Sequence, residues 1–316
     1  MRNQQNLSQV KAGDNFKGFL MLYKIYGKTS KIGKLYANLE LGDATGTIEG
    51  RWWDIDKEII ENFSEMQPVA IKGSIEEWQD KLQFKVEKMR AICEEDELHG
   101  FDFALLVPTT PYNVDEMWGE LIDIITEIAE PNLQDLLGKI FARYEEDFKS
   151  FPAAHRLHHS YRGGLLEHTL SVVKIVKNLC EHFPRLDRDL VLTGAILHDI
   201  GKIKEYREDP RQSSTMSGEL IGHVVQGWEI ILDEYRQIEY FPENLLIKLG
   251  HIILSHHGKY EYGSPKLPKT AEAIVVNFAD DLDAKVSLFY SVIDNDKDKG
   301  EFTYYNQIFE GRLYRG

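Results

Sequence analysis

Ten of the eleven histidines of this chain lie beyond residue 150, and several stand where a helix would otherwise carry leucine or isoleucine. In GGLLEHTLSVVKIVK, His168 falls three residues after Leu165 and four before Val172, on the apolar stripe of an amphipathic helix. His198 and Asp199 interrupt the apolar run AILHDIGKI, close to a helix end that Gly201 is expected to terminate. A carboxylate placed there is opposed by burial and by the negative end of the helix dipole, so it calls for a cation. His223 shares a helix face with Leu220, Gly227 and Ile230; His256 and His257 close a helix before Gly258; Asp280 lies in the apolar stripe of AIVVNFADDLDAKV. A single imidazole on an apolar face is ordinarily a hydrogen-bonded core residue. Several imidazoles and two carboxylates in one core cannot all satisfy one another, because an unpaired buried ion is penalised by on the order of several kcal/mol. Metal ions account for them together, and imidazole and carboxylate ligands projecting from facing helices are how bundles build binuclear sites.

Elements of two kinds must position these residues. At 316 residues the chain exceeds what one hydrophobic core usually organises, so two domains are expected. From Phe16 to about Ile92 the runs FKGFLMLYKIY, KLYANLEL, TGTIEGRWW, PVAIKGSIEEW and KLQFKVEKM read as five short strands, with one helical stretch, Asp54 to Phe63, between the third and fourth. That order is the order of a five-stranded OB-fold β-barrel, a fold whose face and loops take single-stranded nucleic acid. Residues 1–93 are therefore expected to form a nucleic-acid-binding domain, and the polar, proline-containing stretch 94–112 a linker. Residues 113–316 read as all-α, with a metal core over about 160–290. The helices are expected at Val114–Ala129, Asn132–Phe148, Leu165–Phe183, Asp189–Ile203, Glu219–Arg236, Glu243–Ser255 and Ala271–Val292.

Composition excludes several classes. With 42% hydrophobic and 28% charged residues the chain is globular in kind. Its longest apolar runs fall far short of the roughly 20 residues a bilayer span requires. The basic start MRNQQNLSQVKAGD is followed by no apolar signal region, and Cys93 and Cys180 suit reduced, buried thiols, so a cytoplasmic location is expected, away from membranes. The net charge of −15 taken as an average argues against a polyanionic partner, but residues 11–92 hold 13 Lys and Arg against 13 Asp and Glu. The acidity thus belongs to the remainder, with 24 basic against 39 acidic residues. Within the neutral segment, aromatics and cations interleave: Tyr23, Lys34, Arg51, Trp52, Trp78 and Phe84 are candidates to stack bases and follow a phosphate backbone. Core packing is the competing role, and adjacent Trp52 and Trp53 must point to opposite faces, which puts at least one of them inside.

The segments GGLLEHT, AILHDIGK, SHHGKYEYGSPKLPKTAEA and ADDLDAK resemble the HD-domain metal-dependent phosphohydrolases. Joined to an OB-like N-terminal domain, they resemble more closely the YhaM-type 3′→5′ exoribonucleases. The resemblance implies one metal held by His168, His198, Asp199 and Asp280. Asp199 would bridge to a second metal held by His223 and by His256, His257 or both. Of the flanking carboxylates, Asp281 reads as solvated and Asp283 as an outer partner or cap. The implied cofactors are two divalent transition-metal ions, manganese first, with cobalt, iron, nickel or zinc as alternatives. Such a pair lowers the pKa of a shared water and neutralises charge on a phosphoryl oxygen. Asp199 and Lys202 are the expected catalytic residues, Lys202 as a point charge on a non-bridging oxygen, against a plain role as a helix-end lysine. His159 and Arg162, in the loop before His168, are candidate phosphate contacts. The implied activity is metal-dependent 3′→5′ hydrolysis of single-stranded RNA, with single-stranded DNA as a second substrate, to nucleoside 5′-monophosphates, and self-association into a homo-oligomer is in keeping with it. An HD phosphohydrolase acting on free nucleotides or cyclic dinucleotides is the alternative.

Overall fold

The computed structural model describes residues 5–30, 33–79, 81–154, 161–207, 214–296 and 300–316. His159 lies outside the described residues. The chain divides into two compact units, Met1–Thr109 and Thr110–Gly316.

The first unit is built on β1 (Asn15–Thr29), β2 (Leu35–Asp43), β3 (Gly46–Trp53), β4 (Gln67–Trp78) and β5 (Lys81–Ala91). They close into a barrel in the order β1-β2-β3-β5-β4, antiparallel throughout except for the parallel pair β3–β5. Helix α1 (Lys57–Glu61) sits between β3 and β4, completing OB topology. Alternation decides which side chains fill the barrel: Ile48, Phe84 and Val86 point in, and Phe16 meets Phe84 edge-on at 5.5 Å. Gly73 is required where β4 slips register against β5, because a Cβ there would lie 2.1 Å from the Lys85 carbonyl oxygen. β1 likewise shifts register between Leu22 and Lys24, which lets one long strand pair with β4 along its first half and β2 along its second.

The expected linker does not stand apart from the barrel. After α2 (Glu95–Leu98), Phe101, Phe103 and Leu106 pack on Phe19, Met21, Tyr23 and Met66, covering the outer face of β1. Asp96, 2% exposed, anchors this cover by accepting from two guanidinium nitrogens of Arg90 at 2.6 and 2.7 Å and from the Cys93 amide at 2.9 Å. Cys93 is exposed rather than buried, and Cys180 is half-buried.

The second unit is helical: α3 (Val114–Thr126), α4 (Pro131–Ser150), α5 (Gly164–His182), α6 (Arg188–Leu197), α7 (Lys202–Glu205), α8 (Met216–Ile221), α9 (His223–Tyr235), α10 (Glu243–Ser255) and α11 (Ala271–Asn295). Asn113, Asp187, Thr215 and Thr270 cap α3, α6, α8 and α11 through side-chain oxygens, and Pro131 occupies the first turn of α4. Two expected helices are broken. The one expected over 189–203 ends at Leu197, and a turn through His198, Asp199, Ile200 and Gly201 precedes α7. The one expected over 219–236 divides at Gly222, whose φ of +80° no other residue adopts cheaply. Both breaks fall where a ligand-type side chain must be aimed. The core runs through Leu165, Val172, Ile196, Leu197, Ile200, Ile230, Leu249, Ile252 and Val276, which are buried. Among the described residues, no helix is long and apolar enough to cross a membrane.

Candidate metal centre

Among the described residues, five imidazoles and two carboxylates converge in the second unit. His168 comes from the first turns of α5, His198 and Asp199 from the turn after α6, and His223 from the first residue of α9. His256 and His257 follow α10, and Asp280 lies in mid α11. His168, His198, Asp199 and His256 are buried, and the His223 side chain is 12% exposed. Two sets of ligand atoms form, His168, His198 and Asp280 in one, and Asp199, His223, His256 and His257 in the other, with the atoms of each set within 4.8 Å of one another.

Asp199 joins the sets. Its Oδ2 lies 3.4 Å from His168 Nε2 and 3.3 Å from His198 Nε2, whereas its Oδ1 lies 3.4 Å from His223 Nε2 and 3.6 Å from His256 Nε2. Asp280 Oδ1 lies 3.2 Å from His168 Nε2 on the first side. One carboxylate thus offers an oxygen to each set.

The outward nitrogens fix the chemistry of the inward ones. His198, His256 and His257 donate Nδ1–H to the carbonyl oxygens of Ala195, Ile253 and Tyr262, each at 2.7 Å. Carbonyls only accept, so the proton of each neutral ring is on Nδ1 and Nε2 carries a lone pair. His168 Nδ1 is held by Asp283 at 2.7 Å, and Asp283 also takes the Ser171 hydroxyl. His223 Nδ1 is held by Glu205 at 2.5 Å, and the same Glu205 oxygen accepts the His223 backbone amide at 2.6 Å. All five rings therefore turn Nε2 toward the centre, the arrangement by which outer partners orient metal-binding histidines.

Without a cation this arrangement is unfavourable. The Nε2 atoms of His168 and His198 face each other at 3.2 Å, as do those of His223 and His257, and among the described residues buried His256 Nε2 has no hydrogen-bond partner. Burial keeps His256 neutral, and burial together with the neighbouring His256 lowers the His257 pKa to about 4. Burial opposes ionisation of Asp199, but Lys202 and His198 prevail and hold it well below the usual carboxylate range. Neutral His256 and His257 beside an ionised Asp199 are the protonation states a divalent ion needs, so these donors fit such an ion. At His168 burial is outweighed by Asp199, Asp280 and Asp283, which raise its pKa until a cation takes the place of the proton.

Comparison with known proteins agrees. The HD domain family model matches residues 165–285, and the TraI_2 helicase model matches residues 110–183. The chain is 31% identical over 320 residues to the 3'-5' exoribonuclease YhaM of Listeria monocytogenes serotype 4b, covering 97% of this chain and all of that one. It is 33% identical to its counterpart in Shouchella clausii over 93% of this chain and 90% of that one, and 31% identical to that of Bacillus subtilis over 92% and 91%. The chain belongs to the YhaM 3'-5' exoribonuclease family. Among solved structures, the second OB-fold domain of replication protein A from Methanococcus maripaludis is 18% identical, with a TM-score of 0.24 over 28% of this chain and 93% of that one.

In this YhaM-family chain Lys202 is neither solvated nor free. It is buried at the start of α7, with Nζ 2.5 Å from Asp199 Oδ2, so it stabilises the shared carboxylate directly. The Arg162 side chain is half-buried, and its carbonyl oxygen accepts from Thr110 at 2.9 Å. Asp283 is buried against His168, while Asp281 is paired with Lys285 at 2.7 Å. Glu205 escaped sequence reasoning: its only signal is a position six residues after Asp199, at the end of a four-residue helix.

On the barrel the structure revises the candidate list. Phe84 is fully buried in the core, and Tyr23 is 5% exposed beneath the 101–106 cover, so neither ring can meet a base. Trp52 is half-buried, edge-on to Phe63 at 6.0 Å, and its neighbour Trp53 is the outward ring. Lys34 is tied to Asp54 at 2.8 Å. Arg51 and Trp78 remain on the surface, Arg51 half-buried and Trp78 57% exposed.

Proposed function

We infer that this chain is a metal-dependent 3′→5′ exoribonuclease that shortens single-stranded RNA, with single-stranded DNA as a second substrate, and releases nucleoside 5′-monophosphates. The observation that carries this reading is the division of Asp199, one oxygen toward His168 and His198 and the other toward His223 and His256. A carboxylate so divided suits two cations spaced to clamp a phosphodiester. His168, His198, Asp199 and Asp280 would hold one, and Asp199, His223, His256 and His257 the other, with manganese first among the divalent transition metals this donor set admits, ahead of cobalt, iron, nickel and zinc. Bound there, divalent ions supply Lewis acidity toward a phosphoryl oxygen and lower the pKa of the attacking water.

The chain's own residues do the remainder. Asp283 and Glu205 fix the orientation of His168 and His223. Lys202 keeps Asp199 ionised in a buried setting where a lone carboxylate would take up a proton. The barrel holds the strand without reading its sequence, a role supported by its OB topology and by membership of the YhaM family.

The test is a product ladder. Purified protein loaded with manganese is incubated with 5′-labelled RNA and DNA single strands. Stepwise shortening from the 3′ end with monophosphate release is expected. Intact strands alongside cleavage of free nucleotides or cyclic dinucleotides would instead assign the chain to the small-substrate HD phosphohydrolases.

A further inference from the structure

Arg51 of β3 stands between two outward indoles. Its guanidinium carbon lies 5.8 Å from the Trp53 ring and 5.9 Å from the Trp78 ring, which are 43% and 57% exposed. Trp53 in turn stacks on Tyr36 of β2, with centroids 4.6 Å apart and planes 26° from parallel. The four side chains thus make a continuous row of flat faces from β2 to the tip of the β4–β5 hairpin. Beside the row, a cleft of about 320 Å³ is walled by Arg51 and Trp78 and lined also by Thr47, Gln83, Lys81 and the Glu49 carboxylate. That volume is at the low end of what small-ligand sites enclose.

Charge marks the row as unfinished. The neighbouring cations Lys24, Lys34 and Lys85 are paired to Glu40, Asp54 and Glu76, each at 2.8 Å. Among the described residues Arg51 has no carboxylate partner, and its Nε, shielded from solvent, has no hydrogen bond. A guanidinium left unpaired between exposed aromatic rings is matched to a phosphate flanked by two bases, since it offers a planar donor fork and a stacking face together.

We propose that Tyr36, Trp53, Arg51 and Trp78 form a subsite for a dinucleotide segment of single-stranded nucleic acid. One base lies on Trp78 in the cleft, the next lies on the exposed face of Trp53, and the phosphate between them meets Arg51. The proposal deepens the reading of the barrel as the strand-holding unit and rests on it. It excludes Tyr23 and Phe84, and it assigns Lys34 no direct part.

The test measures anisotropy of a fluorescein-labelled oligouridylate of about 12 nucleotides with the full-length chain, in chelator so that the strand stays intact. Trp78→Ala and Trp53→Ala are each expected to weaken binding by about ten-fold, and Trp78→Phe to recover most of the loss. Arg51→Ala weakens binding and lowers the slope of log affinity against log salt by about 0.7, the value for one single-strand phosphate. Lys72→Ala, which removes a partner of Glu87 away from the row, leaves affinity unchanged. Both indoles are exposed, and unchanged melting curves would show that the variants are folded. Affinity of the three variants equal to wild type would overturn the subsite while leaving the nuclease reading intact. Variant-sensitive binding by a chain that yields no RNA ladder would do the opposite.

Discussion

Gly201→Ala probes how the two ligand sets are held together. Gly201 follows Asp199 by two residues and packs against the first turn of α9, where a Cβ would lie 2.0 Å from the His223 carbonyl oxygen and 2.5 Å from the Gly227 amide nitrogen. Both obstacles are backbone, and Cβ contacts under 3.0 Å are essentially never seen, so α9 must move by about 1 Å or more. His223 would move with it, away from an Asp199 oxygen now 3.4 Å from its Nε2. Misplacement of about 1 Å in a ligand is expected to weaken the second metal site by on the order of 100-fold. The first set loses less, since α5 and α11, which carry His168 and Asp280, are not what the new methyl strikes. Equilibrium dialysis with elemental analysis should then find about one tightly held manganese per chain in place of two. Gly227→Ala supplies the graded control: its Cβ would stand 3.2 Å from the Gly201 amide, a conflict relieved by a few tenths of an ångström. Equal metal content in both variants and wild type would refute the account of α9 as the rigid carrier of His223.

Asp283→Ala frees the Nδ1 of His168 and should cut first-site metal affinity by roughly 10–100-fold with a smaller effect on the second site, as read by competition with a chromophoric chelator. Asp199→Ala should abolish hydrolysis while leaving oligonucleotide affinity within about two-fold of wild type, since Asp199 belongs to the helical unit; equal loss of both would sink the division of labour. For the metal-free chain, a pH series of melting curves tests the buried imidazoles. The folded pKa of His257 is lowered to about 4, against about 6.5 when unfolded. Between those values the unfolded chain holds the extra proton, so stability falls as pH falls through that window, by about 3 kcal/mol from this group. Manganese, which needs neutral imidazole, should shift the fall to lower pH; a melting temperature flat from pH 7 to pH 4 would contradict this burial.

The candidate inner ligands were legible because helical period and apolar context expose an out-of-place polar residue: His168 and Asp280 sit on stripes otherwise filled by leucine, valine and alanine. Their outer partners were mostly not legible, because Ala195, Ile253 and Tyr262 act through carbonyl oxygens that any residue carries. The extent of two helices was overdrawn for a related reason: hydrophobic period continues across 198–201 and across Gly222, while the backbone breaks to aim Asp199 and His223. On the barrel, parity could have decided more than composition did. Ile48, Gly50 and Trp52 share one face of β3, which sends Trp53 outward, and Phe84 alternates with Gln83 and Lys85 toward the core. Tyr23 is different, since its burial depends on Phe101, Phe103 and Leu106, a cover nearly 80 residues away that no local pattern in β1 announces.

A single face of α11 reaches three parts of the centre at successive turns. Asn277 donates to the His256 carbonyl oxygen at 2.6 Å and occupies the space over Gly258, whose φ is +73°. Three residues on, Asp280 addresses the first ligand set, and three further on, Asp283 steadies His168. The helix therefore behaves as a keyed shaft: sliding it by one residue along its axis, about 1.5 Å, would unseat the paired-histidine turn, a candidate ligand and an orienting carboxylate in one movement. Partial docking of this helix has no half-functional state to offer, and assembly of the centre should be as abrupt as the seating of α11 itself.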